Sequence, residues 1–197
     1  MPLRFITWAT IGILIAHPAP AQEKTPQAVS CDVRQTVEPI LALIEERLKL
    51  AEDVARYKWN VHGKIEDPAR EQAIIDSLGQ QATRQGLPWS WAERFFRAQI
   101  DASKTVQRAL FTEWQQTQAA RFDNVPDLTG TTRPKLDELT VKLIAALAAA
   151  SPQLSRCGDQ IGGLSQQKLK TTAGFLSGAY ATAIAPLLEF NRQSTGR

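Results

Sequence analysis

Arg47 and Lys58 are eleven residues apart, three helical turns, so they project from one face about 16 Å apart along the axis. Asp67, Arg70 and Glu71 follow at i, i+3 and i+4, one face at the start of a second helix. Ser103 and Gln107 share an i, i+4 face on a third. Cations at such spacing suit the binding of a carboxylate, which guanidinium groups grip in a fixed, bidentate geometry. Each residue also has an ordinary explanation: Arg47 and Lys58 as solvated charge, Asp67 as an N-cap, Ser103 and Gln107 as surface polarity. Spacing alone favours that ordinary reading. Other chemistries are poorly supplied. The only histidines are His17 and His62, which nearly excludes a histidine-based hydrolase, and His62 near a helix end reads as solvated. No Cys/His group has zinc spacing and no glycine-rich phosphate loop occurs, so no metal and no cofactor is expected.

Helices must carry these residues. Gly and Pro leave uninterrupted intervals at 40–62, 89–125 and 135–151, too long for strands. Ile40, Ile44, Leu48, Ala51 and Ala55 recur at helical spacing, with Pro39 either at N1 or inside a helix from Val33, and Gly63 ending it. Asp67-Pro68 opens a second helix as N-cap and N1, and Gly86 closes it. A long third helix from Pro88–Ser90 carries Phe95, Phe96, Ile100, Val106, Leu110 and Trp114. Residues 119–132 read as a loop. Arg133-Pro134 opens a fourth helix that Ser151-Pro152 stops, and a last helix covers roughly Ser165 to Phe190. Gly174 and Gly178 in it suggest close helix–helix packing. The fold class is all-α, a single-domain bundle of five to six helices with long first and third helices and no sheet.

The 197 residues are 43% hydrophobic, with 23 Lys and Arg against 20 Asp and Glu, an ordinary globular balance. A formal charge of +3 without a dense basic run implies no nucleic-acid partner. Residues 1–21 read as a cleaved signal peptide: Arg4 as the positive region, Phe5 to Ala16 as the apolar core, and Ala19-Pro20-Ala21 as the cleavage site. An uncleaved anchor is the alternative. Cleavage leaves residues 22–197, a charge near +2, a periplasmic or secreted location and no membrane association. In that oxidising setting Cys31 and Cys157 would close a loop of about 127 residues, stabilising by roughly 4–5 kcal/mol. A lipid-attachment role for Cys31 is the rival, but Cys31 lies some fifteen residues beyond the apolar core.

The run ERLKLAEDVARYKWNVHGKIEDPARE (46–71), followed by FFRAQIDASKTVQ (95–107), resembles the all-helical chorismate mutases. Its ordered motif is R-x10-K, D-x2-R-E and S-x3-Q. The leader, the two cysteines and the C-terminal helices resemble the secreted subclass. The resemblance covers most of the mature chain, most strongly Leu43 to Trp114. It implies a three-helix catalytic part at 22–118, a helical extension at 119–197 and a homodimer with each site within one chain. It places Arg47 on a substrate carboxylate, Lys58 on the ether oxygen and a carboxylate, and Glu71 on the substrate hydroxyl. Arg70 supplies a further polar contact, Asp67 belongs to the same second-helix group, and Ser103 is a small hydroxyl in the site. Gln107 faces the ether oxygen, and Arg133 stands for the arginine supplied by the loop before helix four.

The implied reaction, chorismate to prephenate on the route to phenylalanine and tyrosine, is a unimolecular [3,3] rearrangement needing no nucleophile, metal or redox cofactor. The enzyme, an isomerase, selects a compact conformer and stabilises charge growing on the ether oxygen. A non-catalytic periplasmic helical binding module is the competing function. It explains export and mild basicity, but not the ordered polar spacing.

Overall fold

A computed structural model of the chain describes residues 31–172 and 174–194; the leader lies outside the described residues. Six α-helices occur in order: α1 (Arg34–Asn60), α2 (Pro68–Arg84), α3 (Trp89–Gln116), α4 (Arg133–Arg156), α5 (Gly158–Thr171) and α6 (Phe175–Ser194). No strand occurs among the described residues, as the helical periodicity requires. α1 buries Val37, Ile40, Ile44, Leu48, Ala51 and Ala55 along one stripe. Pro39 sits inside it, and the bond lost is to the carbonyl of exposed Gln35, which water can serve. α1 ends at Asn60, earlier than Gly63. The left-handed residue is exposed His62, at φ 52°, while the Gly63 N–H closes back on Lys58 O at 2.8 Å.

α2 begins as the sequence requires: Asp67 caps the Arg70 N–H at 3.2 Å, ahead of Pro68. Gly86, at φ 84°, turns the chain toward α3. α2 and α3 then approach so closely that a Cβ at Gly79 would lie 2.5 Å from the Trp89 ring. Any larger residue there must push the exposed Trp89 ring aside.

From α4 onward the chain departs from the sequence expectation three times. α4 runs through Pro152 to Arg156 instead of stopping at Ser151. Burial of Leu154 and Cys157, with the Cys157 N–H bonded to Gln153 O at 2.8 Å, outweighs the one hydrogen bond that proline removes. The single last helix is two, split at Gly174 with φ 63°. Gly174 and Gly178 make no close approach, since a Cβ at either meets nothing within 4 Å. α6 packs instead through Ala179, Tyr180, Ala183, Ile184 and Leu187. It is keyed to α3, where Trp91 Nε1 donates to Pro186 O and Gln99 Nε2 to Ala183 O, both at 2.8 Å.

Residues 119–132, expected as loop throughout, close with a π-helical turn at Leu128–Thr132 that runs directly into α4. Asp127 organises it: its carbonyl accepts from Thr131 and Thr132 N–H at 3.0 Å, and its carboxylate accepts from Gly130 N–H. Upstream, Asn60 exchanges two 2.9 Å bonds with the Phe122 backbone, tying the loop to the end of α1. No helix among the described residues is long and apolar enough to cross a membrane.

Cys31 and Cys157 form a disulfide with Cα atoms 5.9 Å apart, 126 residues apart in sequence. It joins the entry to α1 to the α4–α5 junction. Replacing both by serine should cost about 2–5 kcal/mol, read as a lowered urea midpoint against the oxidised wild type. A loss within about 0.5 kcal/mol would mean that core packing alone holds this corner.

Candidate active site

A cavity of about 470 Å³ opens between α1, α2, α3 and the start of α4. Arg47, Lys58, Asp67, Arg70, Glu71, Ser103, Gln107 and Arg133 all line it. The structure thus brings together every polar residue that the spacing singled out. Lys64, Lys104, Glu66 and Asp137 also face it, making six cations against four carboxylates. Val54, Ile74, Leu78 and Ile100 are among its apolar walls.

Arg47 reaches the cavity from the α1 face opposite solvent. Its Nη1 donates to Leu136 O at 3.0 Å and to Thr140 Oγ1, both on α4. Its Nε is buried without a partner. Burial pushes the guanidinium down to about 10, against the through-space pull of Asp137, so it stays charged at neutral pH. A buried cation anchored at one nitrogen presents its other edge to an anion. Three turns along, Lys58 Nζ donates to Ile65 O at 2.8 Å. Burial lowers its pKa, Glu66, Glu71 and Asp67 raise it, and Arg133 lowers it further. Arg133 therefore sits close enough to share the same field.

The cap of α2 prepares the next group. Glu71 Oε1 accepts the Asp67 N–H at 3.1 Å, while Oε2 pairs with Lys104 Nζ at 2.8 Å. Burial pushes the Glu71 carboxyl up, but the bonds from Lys104 and the Asp67 backbone outweigh it, and its pKa is lowered. Across the cavity, Gln107 Nε2 donates to Ser103 Oγ at 3.1 Å and to Ser103 O at 3.3 Å. Gln107 Oε1 is buried with no partner. The two ends of an amide are told apart only by what they bond. Turned by half a rotation, this group exchanges its bond to the Ser103 carbonyl for one accepted from the Ser103 hydroxyl and frees an N–H.

Residues 38–108 match the family model for chorismate mutase type II. The chain is 34% identical over 140 residues to the secreted chorismate mutase of Mycolicibacterium smegmatis, covering 71% of this chain and 76% of that one. The chain belongs to the chorismate mutase type II family. The secreted chorismate mutase of Mycobacterium tuberculosis is 28% identical over 141 residues, 72% of this chain and 69% of that relative. The crystal structure of chorismate mutase from Burkholderia thailandensis superposes with a TM-score of 0.70 at 36% identity, covering 78% of this chain and 99% of that one. The secreted chorismate mutase from Yersinia pestis gives 0.64 at 27% identity, over 75% and 94%.

Seven of the eight singled-out residues fall inside the stretch matched to the chorismate mutase model; Arg133 lies beyond it. The residues that spacing missed are those acting through others. Lys104 shares a face with Gln107 at i, i+3, a legible signal, but its partner Glu71 is 33 residues away. Thr140, 93 residues from Arg47, carried no signal at all. Thr140 Oγ1 also donates to Leu136 O at 2.6 Å, so Thr140→Val removes an acceptor from a buried cation. The variant should lose about 1–3 kcal/mol of stability in chemical denaturation. An unchanged midpoint would mean that the guanidinium does not depend on that hydroxyl.

Proposed function

We propose that this chain converts chorismate to prephenate in the cavity between α1, α2, α3 and α4, as an isomerase requiring no cofactor. One observation carries the reading: residues on four elements, spaced in the order the family motif requires, line a single cavity with more cations than carboxylates. Chorismate is a dianion with a ring hydroxyl and an ether oxygen, and each feature has a counterpart.

The guanidinium of Arg47, which lines the cavity, suits one carboxylate in a bidentate grip, and Arg133 supplies a second guanidinium. Two carboxylates held at fixed positions favour the folded chair-like conformer, in which the ends of the rearranging system approach each other. As the C–O bond breaks and the new C–C bond forms, negative charge grows on the ether oxygen. Lys58 and the amide N–H of Gln107 donate there, from positions fixed before the charge develops. Glu71 accepts the ring hydroxyl, Arg70 adds a polar contact at the mouth, and Ser103 orients Gln107. Asp67 holds the N-terminus of α2 and so the position of Glu71.

The protein works outside the cytosol, a reading supported by its disulfide and by relatives named as secreted. Its sites are self-contained, because Arg133 reaches the cavity from its own chain, and the resemblance to the secreted subclass implies a homodimer. Sedimentation should give twice the chain mass, while a monomer with full activity would dismiss the dimer and leave the site intact.

Mature protein mixed with chorismate should abolish its ultraviolet diene absorbance, and Lys58→Ala should lower kcat by about 10²–10³. No loss of absorbance above background would leave a non-catalytic binding module. The pH profile of kcat/KM should be flat on the acid side, since Gln107 does not titrate and Glu71 is held ionised. On the alkaline side activity should fall as Lys58 loses its proton, at a lower pH than for a free lysine. Gln107→Glu should add an acid requirement, because a glutamate there donates only when protonated. A steep wild-type decline between pH 5 and 8 traceable to position 107 would contradict these roles.

A further inference from the structure

Lys104 is the one cation in the cavity that two carboxylates hold. Its side chain is only 14% exposed, and Nζ lies 2.8 Å from Glu71 Oε2 and 3.1 Å from Asp101 Oδ1. Asp101 is one turn back on α3, so the ammonium is anchored on its own helix before it reaches across to α2. Glu71 is thereby gripped at both oxygens, Oε1 by the Asp67 N–H and Oε2 by Lys104. A carboxylate has about four lone-pair positions, so one on each oxygen is left over. A glutamate side chain otherwise has three rotatable torsions, and ordering it as substrate binds would oppose binding.

We propose that Lys104 is a positioning residue: anchored by Asp101, it holds Glu71 in the orientation that turns its remaining lone pairs toward a hydroxyl-bearing substrate. For the substrate's identity this rests on the chorismate reading above; for the state of Glu71 it does not. Two other roles would use the same residue differently. Lys104 could touch a substrate carboxylate itself, or it could merely cross-link α2 to α3. Direct contact is disfavoured because two carboxylates already neutralise the ammonium and take two of its three N–H groups, and a cross-link alone has no need to face the cavity.

The charged groups around Glu71 set the sign of the test. Lys58 shares the cavity with it from α1, Lys64, Glu66, Asp67 and Arg70 from the α2 entry, Lys104 from α3, and Arg133 and Asp137 from α4, while Asp101 and Arg108 act at one remove, on Lys104 and on Glu66. Of these, Lys104 is the one that bonds the carboxylate side chain to side chain. Removing its charge raises the pH at which Glu71 takes a proton.

Lys104→Met, Lys104→Arg and Asp101→Asn should be compared by kcat/KM against pH and by carbon-13 titration of the Glu71 carboxyl. Lys104→Met should lower kcat/KM by up to roughly 10²-fold and bring in an acid limb absent from the wild type. Lys104→Arg should restore most of the rate. Asp101→Asn, which leaves Glu71 and Lys104 in place but loosens the ammonium, should lower kcat/KM by less than Lys104→Met and should not raise the Glu71 titration, because it removes a neighbouring negative charge. In a Glu71→Gln background Lys104→Met should have almost no further effect, as expected of one residue acting through another. Multiplicative losses in that background would overturn the proposal in favour of direct substrate contact. A lowered melting temperature with unchanged kinetics would overturn it in favour of a cross-link. If the wild type itself leaves chorismate untouched, the function fails separately. The carbon-13 titration still decides, and a Glu71 value that does not rise in Lys104→Met refutes the positioning role.

Discussion

A guanidinium removed from water must be compensated, and Arg47 is compensated only in part. Neutral oxygens on α4 take one nitrogen, Asp137 acts on it through space, and Nε is left with nothing. Much of the architecture follows from keeping that group buried at the wall of the cavity. α1 must be long enough to carry Arg47 and Lys58 on the same face, and α4 must lie along it at the level of Leu136 and Thr140. The resulting surplus of positive charge favours an anion small enough to enter, which bulk charge on the protein could not select.

Holding α4 there is the business of the C-terminal half. The loop from α3 is tied to the end of α1 by Asn60 and then wound by Asp127 into the π-helical turn. That turn delivers Arg133 at the first residue of α4, beside Lys58. At the other end of α4 the disulfide and the burial of Leu154 keep the helix going through Pro152. α5 and α6 fold back so that α6 covers α3, where Trp91 and Gln99 find backbone acceptors. Lys64, Glu66 and Asp67 come from the connection before α2, and the other charged groups of the cavity are mounted on docked helices. That is the condition for electrostatic catalysis, because donors that must reorganise lose their advantage over water.

Polar groups in the cavity fall into two kinds. Arg47, Lys58 and Gln107 have unused capacity pointing inward or available by rotation. Lys104, Thr140 and Asp67 are occupied with their neighbours. The second kind costs affinity nothing directly and fixes the geometry of the first. A unimolecular rearrangement, with no bond to the protein, depends on that geometry throughout.

Much of this was legible in the chain itself, because the signals are local. Asp67-Pro68, Gly86 and Arg133-Pro134 mark helix ends through torsion preferences and missing donors that act over a few residues. The apolar stripe of α1 and the spacings among Arg47, Lys58, Ser103 and Gln107 follow from 3.6 residues per turn. These settled the helices, the faces and the motif. They did not settle which local signal would yield to packing: Pro152 lost to a buried leucine and a disulfide, whereas Gly174 broke a helix that Pro186 did not. Nor could they pair Lys104 with Glu71 or Thr140 with Arg47. Those contacts join elements 33 and 93 residues apart, and their energies exist only once the helices have docked.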